Sequence, residues 1–201
     1  MQGTMTSHGR LGIRLLTRPA PISWKIRNTL RWGFIWGWLT TQLAYAFSKI
    51  TGVPTLLGKL SIRLIKANGE VIDYGVASYR KVTTAFGTFM VDQMQTETSE
   101  FGDFKYHDSG VGTTAENAAD TAMETTDGES RATGSQTETS ALIYKSVGTI
   151  PYTTTKAITE HGVFSSAAST TLLDRSVFTA VNVVATDSIA FTYEWTFVAG
   201  S

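Results

Sequence analysis

The sequence predicts a mainly β protein. It has an antiparallel β-sandwich body, jelly-roll or immunoglobulin-like, with a basic, tryptophan-rich helical anchor at the N-terminus and one further helix. Three observations predict this. The closing segment 187–198 sets Ile189, Phe191, Tyr193, Trp195 and Phe197 against Ala190, Thr192, Glu194 and Thr196, a period of two with one face buried and one wet. Asn68-Gly69 separates two apolar runs, 60–64 and 71–76, the strongest short hairpin cue, because a type I′ turn needs positive φ at both central residues. From Phe101 onward, strand-like runs alternate with Thr-, Ser- and Gly-rich connections, the punctuation of a sandwich.

Taken in order, residues 1–20 read as an arm, with scattered glycines and arginines and no sustained period. Residues 22–50 read as a helix, with Gly33 and Gly37 as the places for a kink and Gly52 and Pro54 as its end. Ile26, Leu30, Phe34, Trp38 and Ala44 sit near one stripe of it. Trp24, Trp32, Trp36 and Trp38 point apolar surface to more than one side, so this helix needs a cover: the body, a neighbouring subunit or a membrane interface. The hairpin follows, and then a helix over 83–95 whose Val82, Phe86, Phe89, Met90 and Met94 share a face. The tract 113–140 reads as polar surface loop with a short helical turn at 114–120. Strands are expected at 102–107, 130–137, 140–148, 152–159, 161–165, 171–178, 179–184 and 187–198. The chain, at 201 residues, has room for one β-domain and an attachment segment. We divide it into a basic arm and aromatic helix at 1–56, a hairpin plus helix at 57–96, and the sandwich at 97–201.

Charge is divided along the chain. Of the 17 Lys and Arg, ten lie between Met1 and Gly69, where there is no Asp or Glu; the remaining seven share the rest with all 17 acids. The two parts therefore carry about +10 and −10. A basic first third suits nucleic acid, an anionic membrane, an acidic protein surface, or a head-to-tail contact between copies. Nucleic acid could be met only through residues 1–69, because the remainder is acidic. A membrane could be met only through residues 22–50. The apolar stretch Trp32 to Phe47 is interrupted by Thr40, Thr41 and Gln42 and falls short of the ~20 apolar residues of a span. The spread arginines, with no small-residue cleavage site, do not read as a signal peptide.

Several fragments imitate catalytic motifs. Gly110-Val111-Gly112-Thr113-Thr114-Ala115 has dinucleotide-loop spacing but no buried strand before it and no βαβ pattern after it. Tyr152 and Lys156 have the spacing of short-chain dehydrogenases without the Rossmann half. Ser78 and Lys81 have serine–lysine spacing without a companion motif. His107, Asp108 and Ser109 hold the residue types of a hydrolase triad, but three consecutive side chains cannot converge. The pair Glu160-His161 projects to opposite faces when extended. With no cysteine and three histidines, a zinc centre has no ligand set by spacing. Asp120, Glu124 and Asp127 lack the oxygen pattern of a calcium loop. The expectation is no enzyme, no cofactor and no metal.

The run Phe104-Lys105-Tyr106-His107-Asp108-Ser109-Gly110, the Thr/Ala/Glu tract, 157–164, 172–178 and the closing Asp187-Ser188-Ile189 strand resemble a group of small tailed-bacteriophage proteins. The resemblance covers about residues 58–200 and implies a structural role in the virion, in capsid or tail, with no catalytic residue carried over. With a basic arm and aromatic helix to attach to a scaffold and an acidic Thr/Ser-rich body to face solvent, we expect a non-catalytic capsid decoration or cement protein. Its partner would be the major capsid protein or another virion protein, and copies of itself, with a trimer as one form. The candidate attachment residues are Arg10, Arg14, Arg18, Arg27, Arg31, Trp32, Trp36 and Trp38. The alternatives are a tail, baseplate or fibre component that meets the host surface, and a peripheral membrane-associated virion protein.

Overall fold

In a computed structural model, which describes residues 17–95, 104–168 and 171–198, the chain is mainly β with three helices. The order is β1 (Thr17–Pro19), α1 (Ile22–Thr29), α2 (Trp32–Thr51), β2 (Thr55–Ile65), β3 (Val71–Val82), α3 (Thr84–Gln95), β4 (Tyr106–Gly110), β5 (Ala132–Thr133), β6 (Ser135–Ser140), β7 (Ile143–Pro151), β8 (Lys156–Phe164), β9 (Leu172–Val183) and β10 (Ser188–Val198). Neighbours run β5-β4-β8-β9-β3-β2-β10-β7-β6, all antiparallel, with β1 parallel beside β3. Two sheets share β3: residues up to Arg80 pair with β2, and Lys81 and Val82 pair with Arg175 and Asp174 of β9. The two ends of this path, β5 and β6, are separated in sequence by Gly134 alone.

The core lies where the alternating faces meet. Leu60, Ile62 and Leu64 of β2, Ile189 and Phe191 of β10, Ile150 of β7, Ile158 of β8 and Phe178 and Val181 of β9 form the main cluster. Tyr193 and Trp195 continue into a second cluster, which α3 closes with Phe86 and to which Val82, Phe89 and Met90 add their partly buried surface. The Met94 side chain lies outside the described residues. The last residue of the alternating stripe departs from expectation: Phe197 is 44% exposed, at the rim of the sheet. Trp195→Ala should cost ~3–5 kcal/mol, as removing a buried large aromatic does. Thr196→Ala, on the other face, should stay within about 0.5 kcal/mol. Thermal unfolding of both variants checks this, and equal effects would refute the one-sided burial of β10.

The hairpin stands where the sequence puts it, but its turn differs from the type I′ expected. Lys66 N–H donates to Glu70 O and Gly69 N–H to Lys66 O, and of the two central residues only Gly69 has positive φ, 81°. This is a three-residue loop closed by a left-handed glycine. The hairpin expected at 57–96 with a helix is also part of the sheet. The hairpin strands sit in the middle of the strand order, between β9 and β10, so the sandwich begins at β2.

The first 56 residues also divide differently. One helix with a kink at Gly33 or Gly37 becomes two, broken at Leu30–Arg31. That break resets the phase of the apolar stripe. Ile26, Leu30 and Trp38 are exposed, and the residues that seat α2 on the body are Phe34, Gly37, Thr41, Ala44 and Ser48. Small side chains let the helix lie close: Gly37 rests on the Tyr79 backbone and the Ser48 hydroxyl donates to Val198 O at 3.1 Å. Helix α1 is built into the main core through Trp24, whose indole N–H donates to Thr179 O and Ala180 O at 2.9 and 3.0 Å. Asn28 is buried beside it, donating to Ala77 O and accepting from Thr179 N–H. The helix thus satisfies backbone groups of β3 and β9 near the place where β3 passes between sheets.

Strand limits moved as well. The runs 152–159 and 161–165 are one strand, β8, and 171–178 and 179–184 are one strand, β9. In 114–120 there is a hydrogen-bonded turn, Asp120 N–H to Asn117 O, in place of a helical one.

Candidate attachment surface and the buried polar network

Arg10 and Arg14 lie outside the described residues. Arg18, on β1, is exposed and pairs with Glu70. Arg27 is exposed on α1. Arg31 stands at the N-terminus of α2, half-buried; burial lowers its pKa and the nearby Glu116 carboxylate opposes that. Trp32, Trp36 and Trp38 are 75%, 51% and 47% exposed. Trp32 and Trp36 stack, ring centroids 6.1 Å apart, and with Thr40, Tyr79 and Glu116 they line a cleft of about 340 Å³. The fold therefore groups Arg31, Trp32 and Trp36, while Trp38 projects from another side of the same helix. Among the described residues no helix is long and apolar enough to cross a membrane.

Part of the charge division is neutralised within the molecule. Arg18–Glu70, Lys59–Glu194, Arg63–Asp73 and Lys66–Asp187 each join a base from the first 69 residues to an acid beyond them. The last is the most buried: burial opposes ionisation of Asp187, but Lys66 and the N–H groups of Val184 and Ala67 hold its pKa below the usual carboxylate value.

His107, Asp108, Ser109, Tyr152, Lys156, Glu160 and His161, which imitate catalytic motifs, lie in a largely buried polar network around β4, β8 and β9, and the Lys81 side chain lies outside the described residues. His107, Asp108 and Ser109 diverge to three sets of partners. His107 Nδ1 lies 3.0 Å from His161 Nε2, and its Nε2 lies 2.8 Å from Ser146 Oγ of β7, so this contact bridges the two sheets. His161 stacks on Phe191. Asp108 meets Arg131 at 2.9 Å; burial raises its pKa against that pairing. Ser109 donates to Asp127 at 2.5 Å and lies 3.0 Å from the Tyr152 hydroxyl. Tyr152 is buried, and burial pushes its phenol far up. A dehydrogenase tyrosine needs the opposite shift, supplied by its lysine. Here Lys156 instead donates to Asp127 O and to Glu129, which it pulls down to about 2.

Glu160 and Arg175 organise the other half. Glu160 is fully buried; it accepts from the N–H groups of Gly112, Glu124 and Thr125 and from Arg175 Nε at 2.7 Å. Arg175 also reaches Asp120 and Glu124, each at 3.1 Å. Burial alone would lower its pKa, and the carboxylates of Glu160 and Asp120 more than reverse this. Gly110 and Gly112 serve this packing: a Cβ on either would come within 2.6 Å of Glu160 Oε1. These glycines pin the loop over a carboxylate, and among the described residues no helix follows to receive a dinucleotide. Asp120 and Glu124 are engaged by a guanidinium, and among the described residues no three His, Cys, Asp or Glu side chains group to hold a metal.

Sequence reasoning missed the Glu160–Arg175 pair and Trp24. For the pair the signal was present: Asp174-Arg175 interrupts an apolar run, 172–178, and an arginine inside a buried strand requires a buried anion. The chain matches no protein-family model, no curated protein and no solved structure in the comparisons made.

Proposed function

We propose that this is a non-catalytic structural protein of a tailed-bacteriophage particle. It acts as a capsid decoration or cement protein attached through its N-terminal segment. One observation carries the reading: an acid-free basic segment leads into a helix whose tryptophans stand exposed, on a body whose Arg131, Lys156 and Arg175 are spent on its own acids. Surfaces built this way bind other proteins, because aromatics dominate interface energetics and basic rims steer approach. The buried network serves as internal scaffolding that fixes the loop 111–127 over β8.

The test is rebinding of the purified protein to particles stripped of it, across a salt series. Arg10, Arg14 and Arg27 replaced together by Gln should slow association and flatten the salt dependence, since exposed charges are screened over about 8–10 Å. Trp38→Ala should speed dissociation at every salt concentration. Rebinding confined to tails, with few copies per particle, would replace decoration by the tail reading. No rebinding to any part of the particle would remove the virion role.

A further inference from the structure

Helix α2 is apolar on two opposite faces. One, Phe34, Gly37, Thr41, Ala44 and Ser48, rests on the body. The other is Trp32, Trp36, Leu39, Leu43, Ala46 and Ile50, all exposed, with the large ones between 38% and 83% open to solvent. These six follow each other at intervals of four, three, four, three and four residues, the a/d spacing of a coiled-coil seam sustained through the whole helix. Phe34, Thr41 and Ser48 then fall at f, directly opposite the seam. The body holds the helix by its back and presents the seam outward.

We propose that this seam packs against α2 of a second copy of the chain, with the two bodies on opposite sides of the helix pair. A 3.5-residue repeat is complementary to another helix carrying the same repeat. Among the described helices α1 has eight residues, and α3 turns its apolar side into the second core cluster, so α2 itself is the element that fits. The flanks that choose partners by charge are nearly empty. Positions Gly33, Ile35, Thr40, Gln42 and Phe47 are uncharged, Lys49 is the sole ion of α2, and the body adds one acid, Glu116, beside Gly33 and the Trp32–Trp36 cleft. The flanks therefore carry few charges, and a copy is met with little repulsion. The area is sufficient: with Ile35 and Phe47, the seam exposes on the order of 800 Å², one partner's share of a standard interface. Trp38 and Arg27 lie off the seam, so pairing leaves them for the particle surface, and the inference stands whether or not the particle is a phage capsid.

The experiment uses the full-length chain in solution, by sedimentation velocity with circular dichroism. Wild type should self-associate. Leu39→Glu with Leu43→Glu should weaken association ~100-fold or more, as like charges across a desolvated seam do, with an unchanged spectrum and a melting point equal to that of the wild type at dilutions where the wild type is monomeric, because both sites are exposed in the monomer. Leu39→Lys with Leu43→Lys should behave the same alone. An equimolar mixture of the two should restore the oligomer, since opposite charges then face each other whichever way the helices run. A wild type that stays monomeric at its highest soluble concentration overturns the proposal, as do Glu variants that still associate. A monomer that binds anionic phosphatidylglycerol vesicles through Trp32 and Trp36 also overturns it and assigns the face to lipid.

Discussion

Arg175→Met should destabilise the fold by ~3–5 kcal/mol, the cost of leaving a buried charge without its partner. Glu160 would keep three backbone N–H donors but lose its only described cation contact, at a site with no solvent exposure. The loop 111–126 should loosen with it, because Gly112, Glu124 and Thr125 are tied to that carboxylate. Denaturant unfolding and limited proteolysis read the two effects. Adding Glu160→Gln to Arg175→Met should recover much of the loss, since an amide can stay buried without a counter-ion. Lys59→Met supplies the contrast: its pair with Glu194 is open to water, and such pairs contribute at most ~1 kcal/mol. If Arg175→Met and Lys59→Met cost the same, the network does not hold the loop as described.

Trp24→Ala should cost a further ~3–5 kcal/mol in its own right. The indole fills the main core beside Tyr74, 4.6 Å between ring centroids, and its N–H serves two carbonyls of β9. Trp38→Ala, two turns into α2 and exposed, should change stability by less than about 0.5 kcal/mol. Truncation before Thr55 should consequently lose the cooperative thermal transition. A truncated chain that melts like the whole would show α1 to be a passenger.

What the sequence disclosed followed from unbroken periods. The Ile189–Trp195 alternation and the Phe86, Phe89 and Met90 stripe of α3 repeat long enough to fix a face, and both are found; the Asn68-Gly69 corner is in place with a different turn. Where the period is interrupted the reading went astray. From Glu160 to Phe164 every residue of β8 is buried, and the ladder shifts register at Ile158/Glu160 and Val163/Phe164, so the alternation stops and one strand looked like two. In α1 the buried residues are Trp24 and Asn28 while Ile22 and Ile26 face water, and hydrophobicity alone ranks those four the wrong way. The charge division overstated the separation of the two parts, because a strand can carry its bases to acids far along the chain. Trp32, Trp36 and Trp38 were legible as aromatics in need of a cover, and all three stand exposed. The seam that Trp32 and Trp36 belong to required knowing which side of α2 the body takes.

The nearness of β5 and β6 in sequence has a consequence for how copies can join. The first and last ladder positions are covalent neighbours through Gly134. One rim strand has only two residues, and the other, Ser135–Ser140, is exposed and free of large apolar side chains. Neither margin offers the long, flat, sticky template on which chains add strand to strand without limit. Growth by backbone pairing is disfavoured at both margins, and association falls to side chains on a helix, where a symmetric contact closes on itself. If α2 pairs as proposed, assemblies of fixed count are expected rather than fibres.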